Sequence, residues 1–143
     1  MIILGCDHAG FKLKEKIKIY LQKIGEDIVD VGAFNEQNND DFSKYALLMT
    51  KLFDDYKDAQ LIAVCGSGVG MNIALNKKKG IFCVVGHNAK EVKKAREHNN
   101  VNALALGGRT TCFFKAKSMV NAFLNTHHLG GKYTKRMEYI EIK

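Results

Sequence analysis

Residues 63–74 read AVCGSGVGMNIA, and the way this stretch is parsed decides the fold. An apolar run beginning at Leu61 ends on Cys65, glycines follow at 66, 68 and 70, and helical spacing resumes after them. Glycines between a strand and a helix accept positive φ and let backbone amides approach a ligand. The helix beyond points its free N–H groups and positive dipole end the same way. Strand, glycine loop and helix in that order make half of a β-α-β unit, which predicts a parallel sheet.

The rest of the chain repeats the pattern. Short apolar runs stand at 1–6 (MIILGC), 27–32 (DIVDVG), 61–65 (LIAVC), 82–86 (FCVVG) and 103–107 (ALALG), each predicting a buried parallel strand. Between the first two, Leu13, Ile17, Tyr20, Leu21 and Ile24 recur at helical spacing with lysines opposite, and Gly25 closes the helix. A second helix is expected over 42–56, with Tyr45, Leu48, Leu52 and Tyr56 as its inward stripe and Asp41 as its N-cap. Three more begin near Gly68, Lys90 and Phe113. Five strand–helix alternations with short connections predict an α/β fold: a three-layer α/β/α sandwich around a five-stranded parallel Rossmann-like sheet. The expectation is a single domain over 1–143, with an appended C-terminal arm from about residue 130.

Composition narrows the function. The 143 residues carry 22 Lys and Arg against 15 Asp and Glu, a net charge of +7. Much of the surplus sits in lysine runs at 12–18 (KLKEKIK) and 76–79 (NKKK), without the interleaved aromatic residues of a nucleic-acid stacking surface. A basic surface of this kind suits an anionic small substrate. No apolar run approaches the ~20 residues that span a bilayer, so no membrane partner and a cytoplasmic location are expected. Cys6, Cys65, Cys83 and Cys112 show no C-x-x-C spacing, which argues against a zinc site or a disulfide scaffold. Adjacent His127 and His128 present no chelating helix face, so no metal is expected.

In parallel sheets ligands bind beyond the carboxyl ends of the strands. That rule selects Asp7 and His8 after the first strand, Cys65 and its loop after the third, His87 after the fourth and Arg109 after the fifth. The glycine loop is neither a P-loop, lacking Gly-Lys-Ser/Thr, nor a dinucleotide fingerprint, its third glycine coming one residue early. It reads as an anion-binding loop or as a tight turn. Cys65 reads as a thiol activated at a helix N-terminus or as a small buried apolar residue, the second being the reading for Cys83 and Cys112. His98, in REHNN ahead of the fifth strand, belongs at the amino edge of the sheet. It is either part of a helix C-cap or a residue serving a second subunit across a two-fold axis.

Four segments, GCDHAGFKLK (5–14), CGSGVGMNIALNK (65–77), EHNNVNALALGGR (97–109) and GGKYTKR (130–136), resemble in order and spacing the ribose-5-phosphate isomerase B family, which also includes galactose-6-phosphate isomerase subunits. The resemblance covers essentially the whole chain. It implies an aldose–ketose isomerase that needs no metal or cofactor, converting ribose 5-phosphate to ribulose 5-phosphate in the pentose phosphate pathway. It further implies homodimers, or dimers of dimers, with active sites shared between subunits. By similarity, His98 with Asp7 opens the sugar ring, Cys65 carries the proton, and Ser67 with the backbone of Gly66, Gly68, Val69 and Gly70 holds the enediolate oxygen. His8, Arg109, Lys132 and Arg136 bind the phosphate, and Asn99 also contacts substrate. Met71 stands where one branch of the family has a glutamate base, which places this chain with the cysteine branch. Lys132 replaces the usual arginine, and DFS at 41–43 replaces an aromatic–proline pattern. Two alternatives remain: an isomerase of six-carbon phosphates such as allose or galactose 6-phosphate, and a non-catalytic sugar-phosphate or nucleotide-binding module.

Overall fold

The computed structural model describes residues 1–56 and 58–141. The chain runs β1 (Ile2–Cys6), a 3-10 turn (His8–Gly10), α1 (Phe11–Lys23), β2 (Ile28–Asp30), α2 (Phe42–Asp55), β3 (Gln60–Cys65), α3 (Val69–Leu75), β4 (Cys83–Val85), α4 (Ala89–Asn99), β5 (Ala103–Gly107), α5 (Phe113–Asn125) and α6 (Lys132–Glu141). The sheet has five parallel strands in the order β2-β1-β3-β5-β4. Helices α1, α4 and α5 pack together on one face, and α2 and α3 on the other. This is the expected three-layer α/β sandwich.

β1, β3 and β5 fill the middle of the sheet, and residues such as Ile3, Leu4, Ile62, Val64, Leu104 and Leu106 are wholly buried. The runs at 27–32 and 82–86 form shorter strands than expected, three residues each and only half-buried, because they lie at the two edges. An edge strand has a neighbour on one side only, and here the edge strands stop at Asp30 and Val85 while their neighbours run on to Cys6 and Gly107.

Several local expectations need correction. α2 buries Tyr45, Ala46 and Met49, so its inward face is rotated from the stripe read through Leu48, which is 39% exposed. Asp41 occupies the N-cap position of α2, but its side chain makes no capping bond. On α1, Ile24 is exposed beyond the last turn while Gly25 takes φ +83°, as a helix-closing glycine does. Cys112 is exposed at the N-cap of α5 instead of buried. Cys83 is half-buried, and burial drives its thiol up to about 12, which leaves it protonated and inert.

One lysine of α1 is not on the solvent face. Lys14 is completely buried, and its Nζ donates to both carboxylate oxygens of Asp30 (3.0 and 2.8 Å) and to the Ala33 carbonyl (2.9 Å). Lys18 adds a second ammonium 2.8 Å from Asp30 Oδ2. Burial alone would raise the Asp30 carboxyl, yet these bonds hold it below its ordinary value. The pair ties α1 to the end of β2.

Candidate active site

The chain leaves β1 for one side of the sheet and β3 for the other, so their carboxyl ends flank a topological switch point. Backbone bonds knit the three central strand ends together: Asp7 N–H to Val64 O (3.2 Å), Gly108 N–H to Cys65 O (2.7 Å) and Arg109 N–H to Gly66 O (3.1 Å). A cavity of about 380 Å³ opens there, lined by Asp7, Phe42, Cys65, Gly66, Ser67, Gly70, Arg109 and Thr110. Asp7 and Cys65 are buried at its floor, at 6% and 4% exposure, and the Arg109 side chain passes over Gly66 at its rim.

Asp7 takes extended backbone ahead of the 3-10 turn and accepts from Gly10 N–H at 3.0 Å, which fixes the carboxylate against the strand end. Gly68 takes φ +84°, and a Cβ there would lie 3.1 Å from the Leu106 carbonyl carbon; only glycine lets the loop turn this tightly against β5. Gly70 lies under the Phe42 ring, where a Cβ would come within 2.8 Å of it. Ser67 is exposed, and its Oγ accepts from Val69 N–H at 3.3 Å. That amide is therefore already engaged, and Gly68 and Val69 shape the loop without lining the cavity.

His8 follows Asp7 but turns toward the loop before α2. Its backbone N–H donates to Asp40 Oδ1 (2.8 Å), and its ring Nδ1 lies 3.1 Å from both Asp40 Oδ1 and the Asp40 carbonyl oxygen. Tyr45 donates its hydroxyl to Asp40 Oδ2 at 2.5 Å. Burial would raise the Asp40 carboxyl, but the bonds from Tyr45 and His8 hold it below the usual carboxylate value. His87 is exposed and does not line the cavity.

His98, Asn99, Lys132 and Arg136 form a second group. α4 runs back against the strand direction, so its last residues lie at the amino edge, just before β5 begins at Ala103. The arm expected from residue 130 is helix α6, and it docks on that end of α4. His98 and Tyr133 stack with ring centroids 4.4 Å apart and planes 3° from parallel. His128 bridges Glu97 O (2.9 Å) and Thr134 Oγ1 (3.0 Å), and Asn99 Nδ2 approaches Met137 Sδ at 3.6 Å. The Lys132 ammonium and Arg136 guanidinium lie 5.2 and 5.7 Å from the Tyr133 ring centre. The fourteen residues selected from the sequence, His87 included, thus divide between the two edges of one sheet.

Three residues escaped the sequence reading. Phe42 opens α2 and Thr110 directly follows Arg109, both lining the cavity, and Asp40 lies in the loop ahead of α2, bonded to His8. The rule that chose Arg109 also covers Thr110. Applied to helix starts, it would have reached Phe42.

The family model for Ribose/Galactose Isomerase matches residues 2–140. The ribose-5-phosphate isomerase B of Escherichia coli is 35% identical over 139 residues, covering 97% of this chain and 93% of that protein. The crystal structure of a ribose 5-phosphate isomerase from Thermotoga maritima superposes with a TM-score of 0.93 at 35% identity, over 99% of this chain and 97% of the other. Ribose-5-phosphate isomerase B of Mycoplasma genitalium, with ribulose-5-phosphate bound, superposes with a TM-score of 0.94 at 31% identity, over 99% and 93%. With a matching family model over nearly its whole length and a shared fold, this chain belongs to the ribose/galactose isomerase family.

Proposed function

We propose that the protein is an aldose–ketose isomerase that interconverts ribose 5-phosphate and ribulose 5-phosphate, a reaction of the pentose phosphate pathway. The observation that carries this reading is the buried Cys65 thiol beside the Asp7 carboxylate, in a cavity rimmed by Arg109, in a member of this family. The bound ribulose-5-phosphate of the Mycoplasma relative supports the substrate class.

The reaction divides between the two residue groups. His98, with Asp7, moves the proton that opens the furanose ring. Cys65 as thiolate then takes the C2 proton; the C2 electrons form the enediolate double bond and the carbonyl oxygen becomes the oxyanion. Ser67 and the amides of Gly66 and Gly70 stabilise that oxygen, a contribution for which losing one donor typically costs ~10²-fold or more. The hydroxyl proton passes from O2 to O1, and return of the carbon-bound proton to C1, as the O2 electrons form the C2 carbonyl, completes the isomerisation. His8, Arg109, Lys132 and Arg136 hold the phosphate, whose binding energy keeps the open chain in place.

Because His98, Asn99, Lys132 and Arg136 lie at the opposite sheet edge from Cys65, the site is completed by a second copy of the chain, in a homodimer or a dimer of dimers. The apolar side chains Leu47, Val69 and Ile73, each about half exposed on the α2–α3 face beside the cavity, support that arrangement. Measuring kcat/KM for ribose 5-phosphate beside allose 6-phosphate and galactose 6-phosphate tests the assignment. The five-carbon phosphate is expected to be preferred; a preference for either six-carbon phosphate, or no turnover of any, overturns it.

A further inference from the structure

His8 is held in three ways by one residue 32 positions away. Asp40 accepts its backbone N–H and presents two oxygens, one of the side chain and one of the main chain, to ring Nδ1. A carboxylate held below its ordinary value and a carbonyl are both acceptors only, so Nδ1 carries the hydrogen they receive. That leaves Nε2 as the nitrogen free to meet a ligand.

Asp40 is itself braced. Tyr45 is buried at 8% exposure in α2 and donates to Asp40 Oδ2, and burial followed by the Asp40 bond raises its phenol to about 12, so the hydroxyl keeps its proton. Helix capping does not account for this arrangement, since Asp41 and not Asp40 occupies the N-cap of α2. A carboxylate so close to an anion site would repel the anion unless its charge were engaged elsewhere. Here both oxygens are taken, by Tyr45 on one side and His8 on the other.

We propose that Asp40, braced by Tyr45, is a positioning residue for phosphate recognition: it holds Nδ1 of His8, orients the imidazole and leaves Nε2 as the ring nitrogen that meets the phosphate. The inference rests on the reading of His8 as a phosphate ligand. It assigns to Asp40 and Tyr45 a part in substrate binding that acts through His8.

A double-mutant cycle on the full-length protein tests it, with inorganic phosphate as the probe and calorimetry as the readout, so that binding is read apart from isomerisation. Asp40→Asn is expected to weaken phosphate binding about tenfold, the usual scale for a hydrogen bond to a charged group. KM for ribose 5-phosphate should rise by a similar factor, with kcat changing much less. In the His8→Ala background the same substitution should add little, because its effect passes through His8. Tyr45→Phe should act in the same direction more weakly, and it replaces Asp40→Asn in the cycle should that variant fail to fold. Unchanged phosphate binding in Asp40→Asn, or an equal loss with and without His8, overturns the proposal. Phosphate binding that obeys the cycle in a protein unable to isomerise ribose 5-phosphate would overturn the proposed function and uphold Asp40.

Discussion

Cys65 and Asp7 meet at the floor of the cavity because β1 and β3 are paired neighbours, with Cys6 beside Val64. Their selection from sequence needed only the rule that parallel strands deliver ligand residues at their carboxyl ends. The link between His8 and Asp40 was not legible, since it joins a strand end to a polar loop without periodicity, 32 residues apart. Cys65→Ala, which removes the proposed proton carrier and adds no bulk, is expected to lower kcat by at least ~10² while phosphate binding persists. Steady-state kinetics beside a phosphate titration checks this, and full activity would exclude Cys65 as the base. Gly68→Ala forces a Cβ onto a backbone at φ +84° and into contact with β5. A loss of roughly 1–2 kcal/mol is expected in chemical denaturation, the scale of a left-handed residue other than glycine.

The elements themselves were largely readable, because parallel strands are continuous apolar runs and helices show their 3.6-residue period. The errors fell where packing overrides pattern. α2 offers apolar residues nearly all round, at Tyr45, Ala46, Leu47, Leu48 and Met49, so spacing alone did not say which set turns inward. In α1 the lysine surplus hid one lysine with a structural task. Lys14→Met leaves the Ala33 carbonyl with the weak Cys6 thiol donor and Asp30 with Lys18 as its remaining ammonium partner, and a loss on the order of 3 kcal/mol is expected from breaking a buried ion pair. The pair also sets a pH window. Asp30 is held below its ordinary value, so its stabilisation is present above about pH 4 and is lost as pH falls through the lowered value. Lys14 is raised, since its bonds to Asp30 and Glu15 outweigh a burial that alone would lower it. Its stabilisation is present below about pH 10 and lost as pH rises through the raised value. Thermal melts of Asp30→Asn should accordingly fall less steeply than wild type on acidification below about pH 4. An unchanged acid limb would remove Asp30 from the account of acid stability.

Across the whole molecule, the residues proposed to act in catalysis lie at opposite edges of the sheet. That division was visible in the sequence for His98, whose place ahead of β5 puts it at the amino edge. It was not visible for α6, because a tail after Gly130-Gly131 carries no signal of the surface it will meet. The docking of α6 through Tyr133 and His128 groups Lys132 and Arg136 with His98, so that the proposed ring-opening residue and part of the proposed phosphate grip travel together. In the proposed arrangement one copy of the chain offers the thiol edge and another the histidine edge. Mixing Cys65→Ala with His98→Ala protein under conditions of subunit exchange tests this directly, since each variant alone is expected to be nearly inactive. A mixed dimer restores one intact site of its two, and statistical exchange should return about a quarter of wild-type activity. No recovery, with mixed dimers demonstrated by mass spectrometry, would contradict a site shared between two copies.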